Sequence, residues 1–113
     1  MPNTMMLLLQ QYTEQLERIY GTHLKNVILY GSYARGDFHE DSDIDIMILL
    51  DIDDMKIKGY RHQLSELTYD FNMNNDIDIK PIAKSKEHFN KWIRAYPFYS
   101  NIVNEGVELF GAA

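Results

Sequence analysis

Asp43 and Asp45 stand two residues apart, with Ile44 between them and the apolar run Ile46-Met47-Ile48-Leu49-Leu50 directly after. On a strand, residues i and i+2 share a face, so both carboxylates project together. Like charges that close raise one pKa unless a cation lies between them, and carboxylate oxygens suit hard cations such as Mg²⁺. Upstream, Gly31-Ser32 follows a second apolar run, Val27-Ile28-Leu29-Tyr30, and ten residues, Tyr33–Ser42, separate it from the acidic pair. Glycine lets a backbone approach a ligand closely. Ser32 offers a hydroxyl and an N–H where a helical turn can start, a place that favours anions. A metal-bearing acidic pair facing a phosphate cradle describes a nucleoside-triphosphate site.

Each feature alone has an ordinary explanation: Gly-Ser ends many strands, and Asp-x-Asp arises by chance in an acidic chain. Together they are harder to dismiss. Unpaired carboxylates half-buried on an otherwise aliphatic strand would cost several kcal/mol.

The elements that must position these residues follow from periodicity. Met5, Leu9, Tyr12, Leu16 and Ile19 recur at helical spacing and predict a helix over 3–20, stopped at Gly21. Strands are expected at about 26–30 and 44–50. Asp51, Asp53 and Asp54 suit a turn and a helix start, with a lesser possibility that they tune the metal site. A long helix is expected over 54–73, carrying Ile57, Tyr60, Leu64, Leu67 and Phe71 on one stripe and weakened at Gly59 by about 1 kcal/mol. Residues 76–82 read as a third strand, with Pro81 marking an edge or an end. Helical patterning from Ser85 carries Phe89, Trp92 and Ile93 until Pro97 interrupts it. A shorter helix then runs to Gly106, and Val107–Phe110 suits a last strand. Gly31-Ser32 ends strand one and Asp43 opens strand two, so for these to meet the strands must be antiparallel. Asp76 and Asp78 open strand three and reach the same site only if it runs parallel to strand two, through a crossover expected to be right-handed. The fold class is thus α/β (α+β), a mixed sheet of three to four strands with helices packed on it.

At 113 residues the chain is expected to form a single domain over 1–113. Its composition, 45% hydrophobic and 25% charged, is that of a globular protein. There are no cysteines, so thiol and disulfide chemistry are excluded. Met5–Leu9 has no basic flank or cleavage site, and no apolar run approaches a membrane span, so the expectation is a cytoplasmic protein that binds no membrane. The net charge of −6, with Lys and Arg scattered, argues against a direct grip on nucleic acid.

The pattern Gly31-Ser32, ten residues, Asp43-Ile44-Asp45 resembles the signature of the DNA polymerase β-like nucleotidyltransferase superfamily. The short length and the Ala34-Arg35-Gly36 continuation resemble its minimal nucleotidyltransferase (MNT) branch. The likeness runs from Val27 to about Asp78. It implies a third acid on the third strand in an apolar-Asp-apolar setting. Asp76 and Asp78 compete for that place, and Asp78, between Ile77 and Ile79, is the better match. The resemblance further implies two Mg²⁺ ions, with Mn²⁺ as a substitute, held by Asp43, Asp45 and Asp78. Gly31, Ser32 and Arg35 would hold triphosphate, although Arg35 equally suits a surface pairing with Asp37 or Glu40.

The implied reaction moves a nucleoside monophosphate, AMP from ATP, onto a hydroxyl. About 30 residues follow the third strand, too few for an acceptor-binding domain, so that surface is expected to come largely from a partner or from the acceptor itself, and a homo-oligomer stays open. Resemblance to the minimal branch points to an antitoxin that modifies a tyrosine of a HEPN-type RNase toxin. Two alternatives stay open: transfer to a small molecule of the aminoglycoside kind, and a non-catalytic antitoxin that only occupies its toxin.

Overall fold

The computed structural model describes residues 3–39 and 41–112. Four strands, β1 (Leu24–Tyr30), β2 (Ile44–Leu50), β3 (Ile79–Ser85) and β4 (Val107–Gly111), form one sheet in the order β3-β2-β1-β4. β1 runs antiparallel to β2 and to β4, whereas β3 runs parallel to β2. The expected mixed sheet and both expected strand directions are present.

Central β2 explains the layering. All its residues except Asp45 are buried, as suits a strand covered on both faces. Ile44, Ile46, Ile48 and Leu50 join Val27, Leu29 and Ile79 in one core. There they meet Leu9, Tyr12, Leu16 and Tyr20 of α1 (Asn3–Tyr20). Met47 and Leu49 point the other way, into a second core with Phe89 of α5 (Lys86–Trp92) and Tyr99 and Ile102 of α6 (Pro97–Glu105). Asp43 and Asp45 have the parity of Met47, so they belong to the α5–α6 face. That assignment decides where the site lies.

The helix expected over 54–73 is two helices, α3 (Asp54–Gly59) and α4 (Arg61–Asn75). After Gly59 the Tyr60 N–H turns tightly to the Ile57 carbonyl at 3.0 Å, and the Tyr60 ring packs 5.0 Å from that of Tyr20. The weak helix former and the aromatic contact together break the run, while Ile57, Leu64, Leu67 and Phe71 still pack on the first core. The third strand begins at Ile79 rather than at residue 76. Asp76 adopts left-handed backbone (φ 52°) to end α4. The Asn72 amide then clips both backbone groups of Ile79, at 2.9 and 3.2 Å. Asp76 and Asp78 therefore lie in the lead-in to β3, not inside it. Pro81 lies in β3, an edge strand, where a residue without an N–H is tolerated. Pro97 is the first residue of α6 rather than an interruption, its fixed φ suiting a first turn. Asp53 caps α3 by accepting from the Lys56 N–H at 2.9 Å, and Asp51 pairs with His23 at 2.8 Å. Both lie beyond the far end of β2 from Asp43, which removes them from any role at the acidic pair. No helix among the described residues is long and apolar enough to cross a membrane.

One buried polar contact ties α1 to α4: the Tyr12 and Thr68 hydroxyls lie 2.7 Å apart. Burial pushes the Tyr12 phenol well above its ordinary pKa. Thr68→Val should cost about 1–3 kcal/mol in denaturant unfolding, because the Tyr12 hydroxyl is left without a partner. Adding Tyr12→Phe should recover much of that loss, since no orphaned group then remains.

Candidate active site

Gly31 ends β1 with φ 77° and ψ −155°, a backbone region essentially closed to other residues. Its carbonyl accepts from the N–H groups of Ala34 and Arg35, both at 3.1 Å, and so starts the short helix α2 (Ser32–Arg35). The turn at Ser32 is the one expected. The glycine has a further reason that spacing did not reveal: a Cβ at Gly31 would collide with Oδ2 of Asp45. The β1 exit and the Asp45 carboxylate pack directly together. Downstream, Tyr33 and Phe38 stack at 4.5 Å, and Ser42 accepts from the His39 N–H at 2.8 Å, which orders the loop leading to Asp43.

These elements enclose an open cavity of about 610 Å³ lined by Gly31, Ser32, Arg35, Asp43 and Asp45, with Tyr30 and α6 as the opposite wall. Asp43 is exposed and Asp45 half-buried. Partial burial, and then the neighbouring Asp43 charge, raise the Asp45 carboxyl above the usual carboxylate range, while Lys80 and Arg35 pull it back. Burial and the Asp45 charge likewise push the Tyr30 phenol up to about 12. Two mutually repelling carboxylates on one face fit a hard divalent cation. Among the described residues, no three acidic or imidazole groups stand together as a ready metal-ligand set.

Five of the six expected site residues line this one cavity, and Asp78 does not. It borders a separate depression with Asp76 and Tyr33, and its exposed carboxylate lies 3.8 Å from Lys80 Nζ. Its backbone is nonetheless close to the acidic pair, because the Asp78 carbonyl accepts from the Ile44 N–H at 2.9 Å. Arg35 is held by Asp37 at 3.3 Å and Glu105 at 3.5 Å. The Asp37 pairing is the surface one anticipated, and Glu40 lies outside the described residues. Sequence reasoning missed Lys80, which stands opposite Asp45 in the β2–β3 register. It also missed the α6 wall of Phe98, Asn101, Ile102 and Glu105. The signal was present in the i, i+3, i+4, i+7 spacing of those four, but it marks a helix face without saying what the face meets.

Comparison with known proteins agrees with this geometry. The family described as polymerase beta, nucleotidyltransferase matches residues 11–112. The chain belongs to that family. It is a nucleotidyltransferase. It is 36% identical over 102 residues to a provisionally named protein adenylyltransferase of Methanocaldococcus jannaschii, covering 90% of this chain and 94% of that protein. Its fold is similar to that of a provisionally named nucleotidyltransferase from Sulfolobus solfataricus, with a TM-score of 0.64 at 21% identity over 96% of this chain and 81% of that one. It is also similar to a chain from the complex of tri-AMPylated Shewanella oneidensis HEPN toxin with MNT antitoxin, with a TM-score of 0.51 at 21% identity over 95% and 73%.

Two outcomes follow from the packing. In Asp45, a raised folded-state pKa means that the unfolded chain loses its proton first as pH rises. The metal-free protein therefore loses stability from the ordinary carboxylate pKa upward, until the folded group has ionised as well. Asp45→Asn should remove that loss, so its metal-free melting temperature at neutral pH should equal or exceed that of the wild type, with the advantage gone below the ordinary carboxylate pKa. A clearly lower value at neutral pH would mark Asp45 as structural. Gly31→Ala should cost on the order of 1–3 kcal/mol in unfolding experiments, from backbone strain, and should displace the Asp45 carboxylate as well.

Proposed function

We propose that this nucleotidyltransferase moves AMP from ATP to a tyrosine hydroxyl of a HEPN-type RNase toxin and so neutralises it. The observation that carries the transfer is the Asp43–Asp45 pair lining one cavity with the Gly31-Ser32 turn. The acceptor reading is supported by the relative named for protein adenylyltransfer and by the fold neighbour whose complex holds an AMPylated toxin.

In the reaction, the acceptor oxygen attacks the α-phosphorus and the bond to the bridging oxygen of the β-phosphate breaks. Pyrophosphate leaves, and the acceptor proton passes to a carboxylate. Asp43 and Asp45 would hold Mg²⁺, with Asp78 joining them as a third ligand once it leaves Lys80. The metal, when bound, lowers the pKa of the acceptor hydroxyl and offsets charge on the leaving pyrophosphate. The Ser32 hydroxyl and the N–H groups at the start of α2 hold the β- and γ-phosphates. Arg35 must leave Asp37 and Glu105 to reach them. Both are exposed pairs of the kind worth little, so a polyanion can compete. The same holds for the Asp78–Lys80 pair: swung off Lys80, Asp78 could turn toward Asp43 and accept the acceptor proton.

Incubation with ATP, Mg²⁺ and the product of the neighbouring gene should add one or more AMP masses to a tyrosine of that protein. Asp43→Asn and Asp45→Asn should stop the labelling while leaving the complex intact on gel filtration. Asp78→Asn should slow it strongly, and Asp76→Asn should not. Labelling of a small hydroxylated molecule with none on the protein partner would overturn the toxin reading.

A further inference from the structure

The cavity has two chemically different sides. One carries the acidic pair, Ser32 and Arg35. The other is α6, whose Phe98, Asn101, Ile102 and Glu105 fall at i, i+3, i+4 and i+7 and so present one face to the cavity. Ile102 is fully buried and Glu105 holds Arg35. Phe98 is different. It is 47% exposed, held edge-to-face by Tyr30 at 5.6 Å and tilted against Tyr99 at 6.1 Å. Nearly half of this large aromatic ring stays open on a cleft that also carries carboxylates. Its value lies in what stacks on it.

We infer that Phe98 is the stacking wall for the nucleobase of the bound nucleotide, and that Asn101 selects adenine. The inference rests on the nucleotidyltransferase reading of the same cavity. With a triphosphate at Ser32 and Arg35, the α6 wall offers the base an open ring in Phe98 and a carboxamide in Asn101, and a neutral planar base is not repelled by the carboxylates of the same cavity. Base–aromatic stacking is insensitive to base identity, so selection needs a second group. Asn101 lies one helical turn beyond Phe98, and a carboxamide pairs donor and acceptor with adenine N6 and N7. Guanine offers two acceptors at the corresponding edge and matches less well.

Calorimetry of the full chain with three magnesium complexes, of ATP, GTP and inorganic tripolyphosphate, tests this. Phe98→Ala should weaken ATP binding on the order of tenfold while leaving tripolyphosphate affinity within about twofold, and Phe98→Trp should restore ATP binding. Asn101→Ala should reduce the preference for ATP over GTP on the order of tenfold. Equal losses for ATP and tripolyphosphate in Phe98→Ala would show that the ring only supports the phosphate end, and would overturn the proposal. Unchanged ATP affinity in that variant would overturn it as well, and would give the exposed ring to the acceptor surface. A wild-type chain that binds neither ligand would defeat the nucleotide-site reading itself, a result distinct from either of those.

Discussion

The Asp45 carboxylate sits where the apolar sheet gives out, pressed against the Gly31 backbone and beside a second carboxylate. β2 is covered on both faces by helices, and that burial is what turns two ordinary aspartates into an electrostatic problem. Desolvation is the larger part of the perturbation and the Asp43 charge the smaller. A strand exposed on one side would have let water screen the pair. Here burial leaves the two carboxylates to repel each other.

That constraint propagates outward. Because Asp45 fills the space a Cβ would take, position 31 must be glycine. Because Gly31 then takes up a backbone conformation other residues avoid, β1 ends sharply and α2 begins at Ser32. The same strand parity that aims Asp45 at the α5–α6 face brings Lys80 and the aromatic wall of α6 to it. Lys80 and Arg35 partly offset the acidic pair while each holds a further carboxylate, Asp78 and Asp37, and Arg35 also reaches Glu105. The cations around the acidic pair are thus held in exposed ion pairs of the kind worth little.

Much of this was legible along the chain. The α1 stripe, the positions of β1 and β2, their antiparallel pairing and the parallel β3 followed from periodicity and from the need for two motifs to meet. The break at Tyr60 was half legible: Gly59 marked a weak point, but the Tyr20 contact that completes the break comes from another element. The start of β3 was misplaced because Asp76-Ile77-Asp78-Ile79 alternates as a strand does, while Asn72, a full helical turn before the end of α4, determines where pairing begins.

By itself, the sequence determined the acidic pair, the glycine turn, the helical and strand periods and the absence of thiol chemistry, since each depends on residue type and short-range spacing. Tertiary structure alone decided that Asp78 leans on Lys80, that Glu105 reaches Arg35 across 70 residues, and that α6 closes the cavity with Phe98 and Asn101. Those depend on which faces of distant elements meet. A local pattern says that a face exists, but only packing against the sheet says what stands opposite it.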